Sequence, residues 1–332
     1  MTPEAAMSCP LCRAGGPFDY LETYHDPIGA GDYRIHRCGG CGVIFAQPFA
    51  HPGAEWYARF SSADSYEGSA GWRFDWFLES GFGRGGRLLD VGCGTGAFLA
   101  RAKAAGYDVE GVDVNPEAVA EAKARGLDAR LAKLEDFAKK VPPASFDVVT
   151  MFDVLEHFDN PREMTELAAS LLKPGGGLVV TTPNGLRPVP FGRDDFDYPP
   201  HHLTRWTPAA LERFLRARGF RVAQTYHTYL PTWEFSRFLV TRATRAAVGV
   251  AKRVFFGRGG DGATLTRLVE EKRGIGLAPA VLGDKSRRVR VVRAFQSALG
   301  AVLAPVFLPM KLYYRLTAPG VGVTSCVLAV KI

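Results

Sequence analysis

From residue 87 onward, short apolar runs alternate with amphipathic stretches, and glycine separates many of them. The runs at residues 87–91 and 109–113 have the length and pattern of buried strands. The stretch after the first run has helical spacing and ends at Gly106; the next begins at Asn115 and stops at Gly126, which are typical helix caps. This alternation predicts an α/β fold with a parallel, doubly wound sheet and a ligand site at the carboxyl ends of its strands.

A glycine-rich loop follows the first of these strands. Its spacing, Gly92-x-Gly94-x-x-Ala97, also fits the dinucleotide fingerprint, which is weak on its own. Asp90 lies two residues before the first glycine, where its charge would repel a pyrophosphate. A cofactor with an ammonium and a sulfonium group and no phosphate suits that place. Asp113 can accept hydrogen bonds from ribose hydroxyls with either cofactor, so the charges favour S-adenosylmethionine (SAM).

Four motifs then occur in the order typical of class I SAM-dependent methyltransferases, which this chain resembles over about residues 85–230. They are LLDVGCGTG at 88–96, VDVNP at 112–116, FDVVTMFDVLEH at 146–157 and LLKPGGGLVVTTPN at 171–184. The resemblance implies a Rossmann-like sheet of seven strands, in which residues 221–228 form the sixth and residues 325–332 an antiparallel seventh. Residues 85–230 and 321–332 would form the core, and residues 231–320 a helical insertion before the last strand.

The resemblance also implies a set of cofactor contacts: the glycine loop holds the methionine end, the second strand ends at the ribose, and the residues after the third strand lie near adenine. The implied residues are Asp90, Gly92, Cys93, Gly94, Gly96, Asp113, Val114, Glu135, Asp136 and Phe152. This chain has Lys133 where many relatives place an acid. Which of Glu135 and Asp136 meets the adenine amine therefore stays open.

Four of the six cysteines form two CxxC pairs near the start of the chain, and they are Cys9, Cys12, Cys38 and Cys41. Two such pairs supply the four thiolates of a tetrahedral structural zinc site. The 25 residues between Cys12 and Cys38 suit a hairpin that returns the second pair to the first. A thioredoxin-like redox pair would explain one CxxC but not two. We therefore predict a zinc ribbon over residues 1–50.

Three histidines follow predicted strands at the ligand edge. His157 follows the fourth strand, and His201 and His202 lie in the segment DYPPHHLTRW after the fifth. That segment resembles the Pro-His-His-Leu segment of methyltransferases that act on saccharides and lipid-linked substrates. All three are candidate catalytic bases, because histidine is the usual general base near neutral pH. The alternatives are a structural or SAM-side role for His157 and a loop ordered by hydrogen bonds for the pair.

Charge is distributed unevenly along the 332 residues. The net charge is +7, but residues 231–320 contain 16 Lys and Arg against 5 Asp and Glu, which gives +11 and leaves −4 for the remainder. Together with apolar stretches such as residues 301–310, this predicts docking on an anionic membrane surface. Ordinary helical packing is the rival interpretation. No secretory signal or spanning segment is apparent, so we expect a cytoplasmic protein. If the segment docks on a membrane, the protein would be peripheral on the inner membrane face.

These features predict a SAM-dependent methyltransferase whose acceptor is a small or lipid-linked molecule, with a saccharide or lipid-linked glycan favoured. A quinone or small aromatic acceptor, methylated on oxygen, is the first alternative, and a SAM-binding scaffold without catalysis is the second. Nucleic acid is not an expected partner, because the fourth strand ends in Met151-Phe-Asp-Val rather than in an Asn-Pro-Pro-Tyr-like motif. The aromatic residues within 51–84 suit either an acceptor lid or a helix packed on the sheet.

Overall fold

The computed structural model of the protein describes residues 7–26, 31–50, 71–187, 197–227 and 324–332. Its strands are β1 (Phe18–His25), β2 (Asp32–Cys38), β3 (Ile44–Gln47), β4 (Arg87–Val91), β5 (Asp108–Asp113), β6 (Ala129–Leu131), β7 (Phe146–Phe152), β8 (Leu172–Pro183), β9 (Thr204–Arg205), β10 (Phe220–His227) and β11 (Thr324–Lys331). Its helices are α1 (Gly71–Ser80), α2 (Ala97–Ala104), α3 (Pro116–Ala124), α4 (Leu134–Ala138), α5 (Pro161–Leu171) and α6 (Pro208–Arg216), with a 3-10 turn at Leu155–His157.

Seven strands form the central sheet in the order β10-β11-β8-β7-β4-β5-β6. The strands from β8 to β6 run parallel, whereas β11 is antiparallel to both β8 and β10. This is the seven-stranded arrangement that the sequence predicts, with its antiparallel last strand. β11 is inserted beside β8 although more than ninety residues separate it from β10 along the chain.

Apolar residues on both faces of the sheet bury it between helices. Leu88 of β4 packs with Val148 in one hydrophobic cluster, whereas the next residue, Leu89, packs with Val149 in another. Successive strand residues point to opposite faces, so a near-continuous apolar run covers both. Phe74 and Phe77 of α1 join the cluster of Leu88, so the described part of the aromatic segment packs on the core.

A second, antiparallel sheet is formed by β1, β2 and β3, and the short strand β9 extends it. β1 and β2 form the hairpin predicted between the two cysteine pairs, with Phe18 opposite Cys38. β9 comes from the segment directly after His202 and pairs with β3 through Ile44–Arg205 and Phe45–Thr204. The amino-terminal sheet thus includes two residues, Thr204 and Arg205, that follow β8 in the chain.

All described residues fall in one compact unit. The segment 231–320, for which the sequence predicts a helical insertion and membrane docking, lies outside the described residues. Within the described part of the chain, no helix is both long and apolar enough to cross a membrane.

Candidate active site and metal centre

The glycine loop is fixed between the tips of β4 and β5. The amides of Gly92 and Cys93 both donate to the Val112 carbonyl oxygen, at 2.8 and 3.1 Å. Gly92 has a φ of 74°, and a Cβ there would lie 2.5 Å from the Val154 side chain. Glycine is therefore required both for the left-handed backbone and for the close approach of the segment that follows β7. The loop and the 3-10 turn after β7 are direct neighbours.

Asp113, at the end of β5, organises the loop from the opposite side. Its two carboxylate oxygens accept hydrogen bonds from the amides of Gly94 and Asn115, each at 2.8 Å. Burial raises the pKa of this carboxyl, while the amide hydrogen bonds act in the opposite direction. Asn115 in turn caps α3 by accepting from the amides of Glu117 and Ala118. The carboxylate therefore joins the glycine loop to the start of the next helix.

Asp90 is a buried acid at the tip of β4, and only 3% of its surface is exposed. The Thr150 hydroxyl donates to its Oδ1 at 2.6 Å. Burial raises the pKa of Asp90 to about 7, and the nearby charge of Asp113 adds to the effect. A cation beside this carboxyl would restore its ionised form. Cys93 is also buried, which raises the pKa of its thiol and leaves it an unreactive neighbour.

The residues predicted near ribose and adenine differ in their surroundings. Val114, which follows Asp113 in the sequence, is 63% exposed. Glu135 lies at the start of α4 and accepts a long hydrogen bond of 3.5 Å from Asn160 Nδ2. Asp136 is on the outer surface, where the ammonium of Lys139 at 3.0 Å lowers its pKa. Of the two acids, Glu135 has the more enclosed position, which favours it as the adenine contact.

Phe152 closes the sheet edge from the side of α1. Its ring packs against Phe98 at 4.6 Å and against Phe74 at 5.0 Å, both edge to face. Such aromatic pairs are favourable beyond the area that they bury. Phe152 therefore forms part of an aromatic layer that holds α1 and α2 together beside the glycine loop.

Arg73 is a site residue that the sequence reasoning missed. Its guanidinium pairs with the Asp153 carboxylate at 2.6 Å, and the two side chains are 10% and 27% exposed. Asp153 has a left-handed φ of 54° and accepts a hydrogen bond from the Thr181 hydroxyl at 2.8 Å. The sequence feature that could have indicated Arg73 is a charged residue on the buried face of α1, one helical turn before Phe77.

The three candidate histidines come together in the structure. Their ring centroids are 4.6 to 4.7 Å apart, and one ring nitrogen of each lies within 4.8 Å of the others. The Nδ1 of His157 hydrogen-bonds to the His201 carbonyl oxygen at 2.7 Å. The loop is held by backbone hydrogen bonds. The amides of His201 and His202 donate to the Tyr198 carbonyl oxygen, and the amide of Leu203 donates to the backbone carbonyl oxygen of Glu156.

Buried charges surround this histidine cluster. Asp197 pairs with Arg187 at 2.6 Å and lies 3.6 Å from His202 Nδ1. Burial, with the neighbouring His201 and His157, lowers the pKa of His202 well below its usual range, so its ring is neutral at pH 7.

Glu156, another residue that the sequence reasoning did not select, is 1% exposed, and neither carboxylate oxygen has a hydrogen-bond partner among the described residues. Burial and the charge of Asp153 raise the pKa of Glu156 well above its usual range. A buried, unpartnered carboxyl is costly, and such groups are typical of functional sites.

The four paired cysteines form the second cluster. Their sulfur atoms lie within 4.8 Å of one another, with Cys9–Cys41 and Cys12–Cys38 both at 3.6 Å. A disulfide would require about 2.05 Å. Tetrahedral zinc with Zn–S bonds of about 2.3 Å separates its sulfurs by about 3.8 Å, so this donor set fits zinc.

The two CxxC turns have the same backbone design. The amides of Arg13 and Gly42 donate to the carbonyl oxygens of Cys9 and Cys38, the first cysteine of each pair. Both donors have left-handed φ values, 62° for Arg13 and 80° for Gly42. The turns leave the thiols on one side, which is how two short loops present four ligands to one ion.

The amino-terminal sheet is joined to the histidine loop by more than the β3–β9 pairing. Tyr198 stacks on Tyr24 of β1 with ring centroids 4.7 Å apart, and its hydroxyl donates to Glu22 at 2.6 Å. Arg213 of α6 donates to the carbonyl oxygen of Gly40, inside the second CxxC turn. The cysteine cluster and the histidine cluster are thus attached to one continuous sheet.

Comparisons with known proteins identify the class to which the chain belongs. A family profile described as a methyltransferase domain matches residues 73–225. A protein from Paraburkholderia phymatum named ubiquinone biosynthesis O-methyltransferase is 31% identical over 165 residues, which cover 46% of this chain and 71% of that protein. One of the same name from Xanthomonas euvesicatoria pv. vesicatoria is 41% identical over 106 residues, or 30% of this chain and 44% of that protein. This chain therefore spans less than half the length of the Xanthomonas relative.

A solved SAM dependent methyltransferase from Archaeoglobus fulgidus is 18% identical, with a TM-score of 0.49, over 83% of this chain and all of that one. With the profile and the Paraburkholderia relative, the class is shown: the chain belongs to the class I SAM-dependent methyltransferases. Both relatives are named for O-methylation in ubiquinone biosynthesis, and neither name mentions a saccharide.

Proposed function

We propose that this protein transfers the methyl group of SAM to a hydroxyl oxygen of a small aromatic or quinol-type acceptor. The observation that carries the proposal is the contact between the glycine loop and the turn after β7. Val154 packs against Gly92, and the chain then continues into Glu156 and His157. The turn that carries His157 therefore borders the glycine loop, which would hold the methionine end of SAM.

The cofactor contacts follow from the charges of this edge. Bound SAM supplies an electrophilic methyl carbon on a sulfonium. The Asp90 carboxylate attracts the cofactor's ammonium, Asp113 accepts from the ribose hydroxyls, and Glu135 lies toward adenine. Methyl transfer is an in-line displacement, so the protein's main task is alignment of the acceptor oxygen with the methyl carbon. The O–C bond forms as the S–C bond breaks, and the hydroxyl proton leaves to a basic group of the site.

The histidine cluster is the part of the chain suited to promote that proton loss. Activation of a hydroxyl by a positioned group contributes about 10²- to 10⁴-fold in rate. Arg73 and Asp153 position the strand tip beside it. We also propose that Cys9, Cys12, Cys38 and Cys41 hold a structural Zn²⁺, supported by their sulfur separations.

The test is methyl transfer from methyl-labelled SAM to separate pools of catechols, quinols and sugar nucleotides. We expect label in an aromatic methyl ether. Loss of about 10²-fold or more in kcat is expected for His157→Gln, with His25→Gln as the matched control because His25 is exposed and pairs only locally with Asp32.

Label in a sugar would support the saccharide acceptor that the sequence favours. SAM binding by calorimetry, with no turnover of any hydroxyl compound in these pools or in a cell extract, would support the scaffold alternative and reject the proposal.

A further inference from the structure

We propose that His157, His201 and His202 hold a divalent transition-metal ion, separate from the ion of the four cysteines, and that it keeps an open coordination position for an acceptor oxygen. The metal site stands on the residues of the cluster alone. Its role with an acceptor rests on the proposed function, so the two are tested separately below.

The ligand set has the right number, type and spacing. Three ring nitrogens, one from each histidine, lie within 4.8 Å of one another, which small side-chain rotations close around one ion. Imidazole suits zinc, iron, nickel and copper, and three protein ligands with a free position are typical of catalytic rather than structural zinc sites. The four thiols of the ribbon have no such free position. The chain therefore contains two donor sets of different chemistry.

His157 has the outer hydrogen bond expected of a metal ligand, and His202 has a carboxylate near its second ring nitrogen. The Nδ1 of His157 faces the His201 carbonyl oxygen at 2.7 Å, which assigns Nε2 as the ligand atom of that ring. The Nδ1 of His202 lies 3.6 Å from Asp197, whose carboxylate is anchored by Arg187. Metal-bound histidines almost always use their second nitrogen in this way, on a carbonyl or a carboxylate. The hydrogen bond of His157 therefore leaves its Nε2 available for an ion.

Acidic side chains lie close to the histidine cluster. Three carboxylates belong to this neighbourhood, namely Asp153, Glu156 and Asp197, and two arginines, Arg73 and Arg187, pair with the first and the last of them. Glu156, next to His157 in the chain, is left with neither oxygen hydrogen-bonded among the described residues. A cation bound at the three rings would therefore have an unpaired carboxyl group nearby.

An ion held by three imidazoles would act on the acceptor through its open position. It would bind the acceptor's hydroxyl oxygen and lower the pKa of that hydroxyl, as bound zinc does for water. The proton would then leave to a solvent water molecule, since all three imidazoles hold the ion, and the oxygen would be fixed in place. In this arrangement the histidines orient and activate the acceptor through the ion rather than each removing the proton directly. The substrates that fit are compounds with an acidic or chelating hydroxyl, such as catechols.

The experiment is a Co²⁺ titration of the metal-depleted full-length chain, followed by optical absorption. Cobalt bound to thiolates gives intense sulfur-to-metal charge-transfer bands, whereas cobalt on imidazoles gives only weaker visible bands. We expect both signatures in the wild type, in two stages with one ion each. His201→Ala should remove the imidazole-type bands, or weaken that stage at least 100-fold, and leave the thiolate bands unchanged. His25→Ala, an exposed histidine outside the cluster, should retain both stages.

Histidine-selective NMR of the wild type gives a second measurement that needs no variant to fold. Zn²⁺ should shift the ring resonances of His157, His201 and His202, and should leave those of His25 in place. Thiolate bands alone, with unchanged histidine rings in excess metal, would overturn the metal site. So would imidazole-type bands that persist in both His201→Ala and His157→Ala. Neither result needs methyl transfer, so failure of the proposed acceptor chemistry is distinguishable from failure of the metal site.

Discussion

The hydroxyl of Tyr198 donates a 2.6 Å hydrogen bond to the carboxylate of Glu22, across 176 residues of sequence. Glu22 belongs to the hairpin between the two cysteine pairs, and Tyr198 begins the loop that carries His201 and His202. The bond therefore connects the ribbon to the proposed acceptor edge. The amino-terminal sheet therefore acts as a support for the histidine loop.

Tyr198→Phe removes this bond and keeps the ring that stacks on Tyr24. We expect a loss of stability of about 1.5 kcal/mol, the lower end for a hydrogen bond to a charged group, because the place is only partly buried. The acceptor KM should rise while the affinity for SAM stays within twofold, since Asp90 and Asp113 are held by Thr150 and by the amides of Gly94 and Asn115 rather than by this loop. Chemical denaturation and separate titrations of acceptor and SAM measure this.

Tyr20→Phe is the matched control, because the Tyr20 side chain is exposed and its hydroxyl hydrogen-bonds to the neighbouring Thr23. It should leave both constants unchanged. A Tyr198→Phe variant with an unaltered acceptor KM would show that the Glu22 bond does not position the histidine loop.

The central sheet could be predicted from sequence because its signals are local. A strand, a glycine turn and a capped helix are contained in about twenty residues, as in the stretch from Arg87 to Gly106. The same holds for the CxxC turns, whose ligand spacing is local. Position along the chain was enough to place Asp90 and Asp113 at neighbouring strand tips, since parallel strands end at one edge of the sheet.

Contacts between distant segments were not predictable in the same way. β9 has two residues, too few for any hydrophobic period, and it exists because its backbone pairs with β3. Arg73 meets Asp153 only after α1 packs against the sheet, and α1 alone gives no indication of that partner. The acidic partner of Tyr198 likewise depends on how the ribbon joins the core. These are the contacts that shape the acceptor edge, which explains why the cofactor side was predicted in more detail.

Cys12→Ser tests the role of the ribbon as a support. Cys12 is the exposed member of the cysteine cluster, so its loss weakens zinc binding with little change in core packing. Hydrogen exchange should speed up in residues 9–26 and 31–41, and also in residues 201–205, because β9 loses its partner. Residues 88–96 should keep their protection, and SAM should still bind. Restoring zinc to chelated wild-type protein is the control and should reverse all of the changes there.

An unchanged exchange rate at residues 201–205, in a variant whose ribbon has opened, would contradict that role. It would mean that the loop is held by the contacts of Glu156 and Tyr198 with its own backbone.

Asp113→Ala should weaken SAM binding by about 1.5 to 3 kcal/mol, the range for lost hydrogen bonds to a charged group. This carboxylate also accepts hydrogen bonds from the amides of Gly94 and Asn115, so Asp113→Ala also removes the bonds that hold the glycine loop. Asp113→Asn keeps one carbonyl acceptor and should lose less than Asp113→Ala. Calorimetry gives the affinities, and circular dichroism checks that the sheet is intact. Equal, wild-type affinity in both folded variants would reject the ribose assignment.

The pH dependence of SAM binding tests Asp90. Burial raises the pKa of Asp90 to about 7 in the SAM-free protein, so the side chain is neutral in acid and ionised above pH 7. The ammonium of SAM binds the ionised form, and affinity should therefore fall about tenfold between pH 8 and pH 6. Asp90→Asn should bind weakly at both pH values, without that slope, whereas the surface variant Asp108→Asn should keep it.

The pH dependence that Asp90 gives to the free energy of unfolding should have the opposite sign to its effect on SAM affinity. A carboxyl with a raised pKa contributes stability below about pH 4 that is lost as the pH rises through 7, because ionisation is easier in the unfolded chain. At pH 8, SAM-free Asp90→Asn should therefore be more stable than the wild type, by up to about 4 kcal/mol, and this gain should vanish near pH 4. Urea denaturation at the two pH values measures it. A variant that is less stable at pH 8 would show that Asp90 is already compensated by charge in the SAM-free site, and the pH dependence of SAM affinity would then disappear as well.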